Sequence, residues 1–236
     1  MCTDRHLQLS FLPTREMPDR RGQRYQPLGR SGYVFVPEGD DVYDSIGIVC
    51  QCTTTDGFSM SDIDDLINRT GTLIFSDEPN VGYKARMLDQ PSRSSALVRF
   101  DTQQMTIAFE CQPWRYLTPA AADITSAAGQ TALIIENTHN VYSEPVITVS
   151  VSGSGVEWTL TIVNSEGTNV ISCSGASTAI AINSELQECT NAAGNASRNY
   201  AVSLTKFPHL TPGTNTISWS GSGVSSVKVT PNWRDI

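Results

Sequence analysis

Chemistry in a chain of this kind needs nucleophiles, bases or metal ligands at workable spacing, and the candidates are few. There are three histidines, His6, His139 and His209, and six cysteines, Cys2, Cys50, Cys52, Cys111, Cys173 and Cys189. A histidine can shuttle protons or ligate a metal near neutral pH, but each of these lies in loop-like or terminal sequence with no Cys, His or carboxylate at ligand spacing. Cys50 and Cys52 make one C-x-C without the second pair that a tetrahedral zinc site requires. They sit in a strand-like run, and Cys111 ends another, which reads as reduced, half-buried thiols made in a cytosol.

The acidic runs Glu38, Asp40, Asp41, Asp44 and Asp62, Asp64, Asp65 lack the twelve-residue calcium-loop spacing with its terminal bidentate Glu, and read as a solvated loop and a helix start. No G-x-S-x-G, Walker A, G-x-G-x-x-G or H-E-x-x-H motif occurs. Two carboxylates suffice for glycoside hydrolysis without any short motif, yet the first-half carboxylates cluster where solvation explains them. The triplets Asn68-Arg69-Thr70 and Asn195-Ala196-Ser197 match the glycosylation pattern and are read as accidental. Of the four tryptophans, Trp158 lies on an apolar strand phase and is expected in a core, while Trp114 and Trp233, beside Pro and Arg, could anchor an interface. No catalytic, cofactor-binding or metal-ligating residue is assigned, and no cofactor is expected.

The elements that would position such residues are mostly strands. Residues 13–32 mix Pro13, Pro18, Gly22, Pro27, Gly29 and Gly32 with Arg15, Arg20, Arg21, Arg24 and Arg30, which reads as an extended arm or loop. Period-two patterns follow at 33–36 and 46–50. Apolar Met60, Ile63, Leu66 and Ile67 share one helical face, with Ser61 and Asp64 as a capping box and Gly71 to end it, so one short helix is expected over 59–69. Strands are expected at 72–75, 81–88, 96–100 and 105–111, broken by Asp77-Glu78-Pro79-Asn80, by Gln90-Pro91-Ser92 and by Asp101-Thr102-Gln103.

The second half repeats the signal at 145–151, 156–163, 170–172, 178–183, 200–204, 215–219 and 224–230. Val156, Trp158, Leu160 and Ile162 alternate with polar Glu157, Thr159 and Thr161, giving one apolar and one wet face. Seven such strands in about 100 residues is the arithmetic of a sandwich or jelly roll. The fold class expected is mainly β: an amino-terminal β-sandwich-like domain with one short helix over residues 1–135, then a β-sandwich over 136–236, with a linker-like stretch at 120–129 before the junction.

The 236 residues and 25.6 kDa leave room for two cores. A net charge of −8 and a pI near 4.8 have the wrong sign for a phosphate-binding surface, so no nucleic-acid partner is expected. Residues 1–118 hold 12 basic and 16 acidic side chains against 4 and 8 in 119–236, so the second half is nearly charge-free. No run approaches the roughly 20 apolar residues of a membrane span, and the start lacks the apolar stretch of a signal peptide, so neither membrane insertion nor secretion is expected.

Several phrases together resemble the distal tail protein family of siphophages. They are Gly71-Thr72-Leu73-Ile74-Phe75-Ser76-Asp77-Glu78-Pro79, Tyr83-Lys84-Ala85-Arg86, and Met105 through Tyr116 with its F-x-C-x-P-x-x-Y end. Glu136-Asn137-Thr138 before Pro145-Val146-Ile147-Thr148-Val149 is similar to the family's domain junction, and Phe207 through Ile217 and Val227 through Arg234 are similar to its closing phrases. Gly29-Arg30-Ser31-Gly32 only partly matches the arginine-glycine turn near the family's amino end, and Leu66-Ile67 stands where an aromatic is common.

The resemblance implies a structural virion protein of the tail tip, synthesised in the bacterial host cytoplasm. Its amino-terminal domains would close into a homo-hexameric ring joining the tail-tube ring to the tail-tip hub, with a galectin-like β-sandwich on the periphery. Some relatives extend that sandwich with an arm for receptor-binding proteins, and about 100 residues suffice only for the bare domain. A ring needs head-to-tail contacts, which residues 13–32 could supply by laying arginines on a neighbour of negative net charge. The competing class is a carbohydrate-binding module or adhesion protein recognising host-surface glycans, since fold does not decide function. An enzyme is the third class, disfavoured by the missing nucleophile and base pairs.

Overall fold

The computed structural model of the chain describes residues 7–39, 42–54, 69–88, 92–94 and 104–236. The helix expected over 59–69 and the strand at 96–100 lie outside them, as do His6, Cys2 and the run Asp62, Asp64, Asp65. The chain divides into two compact units, Met1–Thr118 with Ile236, and Pro119–Asp235.

In the first unit, β1 (Leu7–Leu9), β4 (Ile46–Thr54), β8 (Gln104–Leu117), β6 (Glu78–Met87) and β5 (Thr70–Phe75) form an antiparallel sheet in that order, and β7 (Ser92–Ser94) pairs with the start of β8. Alternation decides which face is buried. Along β4, Ile46, Ile48, Cys50 and Cys52 turn inward while Gly47, Val49 and Gln51 face out. They pack with Phe75, Tyr83, Met87, Met105, Ile107 and Cys111. A separate two-stranded ribbon, β2 (Gly22–Tyr25) with β3 (Val34–Pro37), contributes nothing to this core. Among the described residues the first unit is therefore one sheet and one hairpin, and face-to-face packing of two sheets is confined to the second unit.

One expected break is absorbed into a strand, and the strand expected to end at Cys111 runs on past Pro113. Proline has no N–H to give to a ladder, so it is tolerated at strand ends and bulges. Pro79 lies in β6 just before its pairing with β8 begins at Val81, and Pro113 lies in β8 where the register shifts between Tyr83 and Ala85. Only Ser76 and Asp77 remain as the β5–β6 turn.

The second unit is a β-sandwich. One sheet runs β10 (Ala132–Asn137), β17 (Gly213–Ser220), β12 (Val156–Asn164), β13 (Gly167–Ala176), β16 (Val202–Leu204). The other runs β15 (Glu188–Asn191), β14 (Ile180–Asn183), β11 (Val146–Val151), β18 (Val224–Thr230), β9 (Ile124–Thr125). Leu160, Ile162, Ile171 and Ile217 from the first meet Ile147, Val149, Ile182, Val227 and Val229 from the second in a single core. Trp158 is buried in it as expected.

The boundary falls at Thr118/Pro119, not near residue 136. The reason is β10: Leu133 and Ile135 turn into the sandwich core while Ala132–Asn137 pairs residue by residue with Gly213–Ser218, so a strand of the second unit crosses the expected junction. The arm expected over 13–32 likewise contains a regular element, β2, whose partner β3 follows the turn.

Candidate functional site

Among the described residues of the first unit, the β2–β3 hairpin gathers the densest group of exposed apolar side chains. Its register is Gly22↔Pro37, Gln23↔Val36, Arg24↔Phe35 and Tyr25↔Val34. Gly29 and Gly32, at φ +77° and +87°, supply the left-handed turn conformations that other residues resist. Gly22 is required for a different reason: a Cβ there would lie 2.5 Å from the Val36 carbonyl oxygen and 2.6 Å from the Phe35 ring.

Tyr25, Leu28, Tyr33, Phe35 and Val36 are all exposed, Leu28 fully at 104%. The Arg24 guanidinium lies 5.1 Å over the Tyr33 ring. An isolated two-stranded hairpin is marginal in water, and clustered exposed aromatics mark an interaction surface.

The hairpin's base is tied down. Arg21 N–H donates to Val42 O (2.9 Å), Asp44 N–H to Asp19 O (2.9 Å), and the Arg21 side chain donates to Asp44 Oδ1 at 2.8 Å. Upstream, Arg15 forms a two-pronged ion pair with Asp77 on the β5–β6 turn, sits 4.9 Å over Phe75 and reaches Glu78 at 3.2 Å; Arg115 donates to Glu78 at 2.8 Å. The Arg15 hydrogen bond holds the Asp77 carboxyl below its ordinary range. On the sheet, Arg86 and Ser45 do the same for Glu110.

Among the described residues of the first unit, the buried cysteines are poor nucleophiles. Burial pushes the Cys50 thiol up to about 12 and Cys111 up to about 11, and neither is paired in a disulfide. Low reactivity follows, since the thiolate is the nucleophile. Trp114, expected as a possible interface anchor, is buried edge-on against Tyr43 with ring centroids 5.4 Å apart.

In the second unit the fold brings histidines to carboxylates from far along the chain. His139 Nδ1 lies 3.0 Å from Asp235, and its ring stacks on Trp233, the other anchor candidate. His209 Nδ1 lies 3.6 Å from Glu166, which is also paired with Lys206. The His209 ring stacks on Tyr142 at 4.4 Å, and Arg234 lies 4.6 Å from the Tyr142 ring while donating to Glu144 at 2.6 Å. Sequence spacing could not reveal these pairs, because their partners are 96 and 43 residues apart. They are layered cation, aromatic and carboxylate contacts that knit loops together. Among the described residues no three His, Cys, Asp or Glu side chains gather to hold a metal ion, and no helix is long and apolar enough to cross a membrane.

The arrangement thus defines a mainly-β chain of two units with an exposed hairpin on the first. Its fold is that of the SPP1 Dit protein, described as a paradigm of hub adsorption apparatus in phages infecting Gram-positive bacteria. The similarity has a TM-score of 0.64 at 17% identity and covers 96% of this chain and 93% of that one. A chain of the phage P2 baseplate, in its activated conformation with Ca, is similar with a TM-score of 0.54 at 10% identity, covering 96% and 90%. At these identities the likeness is one of fold. No protein-family model matches the chain, and no curated protein matches it by sequence.

Proposed function

We propose that this chain is a distal tail protein: a structural, non-enzymatic component of a phage tail tip or baseplate, made in the host cytoplasm and built into the virion. The observation that carries this reading is a two-unit fold shared over 96% of the chain with the SPP1 Dit protein. The family phrases read from the sequence fall at structural joints of that fold. Phe75 to Glu78 is the β5–β6 turn, and Asn137 and Asn215 clip the corner between β10 and β17.

In this reading the first unit closes head-to-tail into a homo-hexameric ring between the tail tube and the hub, and the β2–β3 hairpin lies on the neighbouring copy. Two features favour the hairpin for that role: exposed aromatics on a ribbon too small to be stable alone, and arginines meeting a chain of net charge −8. The sandwich, galectin-like in this reading, stands at the periphery.

The test is the mass of the purified full chain in solution across a range of concentrations, by native mass spectrometry, with and without the tail-tube protein from the same particle. Six copies, or an equilibrium leading to six, supports the ring. A strict monomer under both conditions overturns it.

A further inference from the structure

Four outward side chains of the second unit stand in register across four adjacent strands. Ser220 of β17 is opposite Thr159 of β12, Thr159 is opposite Ser172 of β13, and Ser172 is opposite Ser203 of β16. Their chain neighbours Trp158, Leu160, Ile171, Cys173 and Trp219 are buried in the sandwich core, so alternation turns the four hydroxyls to the outer face. Strands lie about 4.8 Å apart, so the row is a track of hydroxyls about 14 Å long.

These four residues line a groove of about 330 Å³ together with Glu157, Ser174, Ala201 and Gly221. Gly221 lets the β17–β18 turn close directly on β12: at φ +134° it has no room for a Cβ, which would lie 2.6 Å from the Glu157 carbonyl oxygen. At the β16 end stands Tyr200, next to Ala201 and 79% exposed, its hydroxyl accepting from Arg198 Nη1 at 2.7 Å.

The chemistry of this lining selects its ligand. Serine and threonine hydroxyls both donate and accept, whereas the exposed Glu157 carboxylate only accepts. No Lys, Arg or His lines the groove, and Arg198 beyond its β16 end donates to Tyr200, so an anionic ligand lying along the hydroxyl row would meet the Glu157 carboxylate with no cation in the lining. Of the exposed apolar side chains of this sheet, Ile134 and Val163 lie in the row of Thr216, four residues along β17 from Ser220, and Val170 stands on β13 two residues from Ser172. The groove's own lining holds no large exposed apolar side chain, and Val170 alone at its flank is not an apolar socket for a polypeptide. What fits is a neutral molecule rich in hydroxyls that are at once donors and acceptors, with an apolar ring face for a flat aromatic.

We infer that this groove is a binding site for a neutral oligosaccharide. Glu157 accepts hydrogen bonds from sugar hydroxyls, Ser220, Thr159, Ser172 and Ser203 exchange hydrogen bonds along its length, and Tyr200 stacks on a sugar ring. The groove is shallow and solvated, so one copy binds weakly, and an assembly carrying several copies gains by avidity. The inference rests on the second unit alone and stands or falls independently of the ring.

The experiment titrates the full chain with maltotetraose, cellotetraose, chitotetraose and β-1,4-galactotetraose by saturation-transfer NMR, with polyglycerol phosphate as the anionic comparison. The expected result is binding of at least one tetrasaccharide, weakened about tenfold or more in both Glu157→Gln and Tyr200→Ala. Thr159→Val, nearly isosteric on an exposed face, is expected to weaken it as well and serves as a second variant should either of the others melt early. Absence of binding by all four sugars up to about 10 mM overturns the inference. So does unchanged binding in these variants, or preferential binding of polyglycerol phosphate.

Discussion

The side-chain amide of Asn137 donates to the main-chain carbonyl of Leu210 at 2.9 Å, across 73 residues of sequence. The same nitrogen reaches Val141 O at 3.0 Å, and the Asn137 oxygen accepts from His139 N at 3.0 Å. Asn137 is 2% exposed and Leu210 is fully buried, so each group left unpaired would be costly. Asn137→Leu should destabilise the second unit by about 3 kcal/mol, the sum of several lost hydrogen bonds partly offset by apolar burial. Urea denaturation followed by tryptophan fluorescence measures it, and a loss below about 1 kcal/mol would show that the clip is dispensable.

Gly22→Ala should act on assembly without touching either core. The added Cβ has no space between the Val36 carbonyl oxygen and the Phe35 ring, so β2 and β3 must separate locally. If the hairpin carries the ring contact, the variant keeps the parental melting temperature to within a few degrees and sediments as a monomer where the parent assembles. An unaltered oligomer would place the contact elsewhere.

How legible the fold was depended on whether a segment's partners were local or distant. The alternation in β12, with Trp158, Leu160 and Ile162 turned one way, predicts a strand and its buried face from the chain alone, and both are found. β10 lacks that alternation, since Leu133, Ile134 and Ile135 are all apolar; it follows a small-residue stretch that resembles a linker, and its proper home is set by β17, whose pairing begins 76 residues on. Pro79 reads as a break, and the strand at 105–111 as ending before Pro113, because composition carries no information about which strand positions need an N–H. The exposed aromatics of the hairpin were hidden by the glycines and prolines around them. The row of Ser220, Thr159, Ser172 and Ser203 exists only once four strands are in register, since no two of its members are near in sequence.

Thiol chemistry should be silent in the native state. Cys50, Cys52, Cys111, Cys173 and Cys189 are all buried and unpaired, and burial pushes the Cys189 thiol up to about 11. In a Cys2→Ser background no cysteine is expected to react with a disulfide reagent at pH 8 on the timescale of minutes, and all five should react in denaturant. A single fast native thiol would mean that one of these strands opens readily.

Acid should weaken the first unit through its paired carboxylates. The Asp77 carboxyl is held below 3.8 by its hydrogen bond from Arg15, and Glu110 below 4.5 by Arg86 and Ser45. A carboxylate with a depressed pKa contributes stability above its unfolded value and loses it as pH falls through the folded value. The melting temperature should therefore drop below about pH 4.5, and Asp77→Asn should start lower at neutral pH and fall less steeply. An equally steep fall in that variant would assign the acid sensitivity to other groups.

His209 should make the second unit sensitive in a different window, with the sign decided by burial. Desolvation lowers its pKa below 6.5, against the opposing pull of Glu166 and Glu144 and with Lys206 adding to the lowering. Tyr142 stacks on the ring and Glu166 lies at 3.6 Å. The unfolded chain then takes up a proton near pH 6.5 that the folded chain still refuses, so stability is complete above that value and falls as pH drops through the folded pKa. His209→Gln, neutral throughout, should flatten the change in melting temperature between about pH 7.5 and 5.5. The imidazole resonance followed by NMR decides the sign: a midpoint under 6.5 confirms that desolvation wins. A midpoint above it would mean that Glu166 dominates, and the unit would gain stability on acidification through that range.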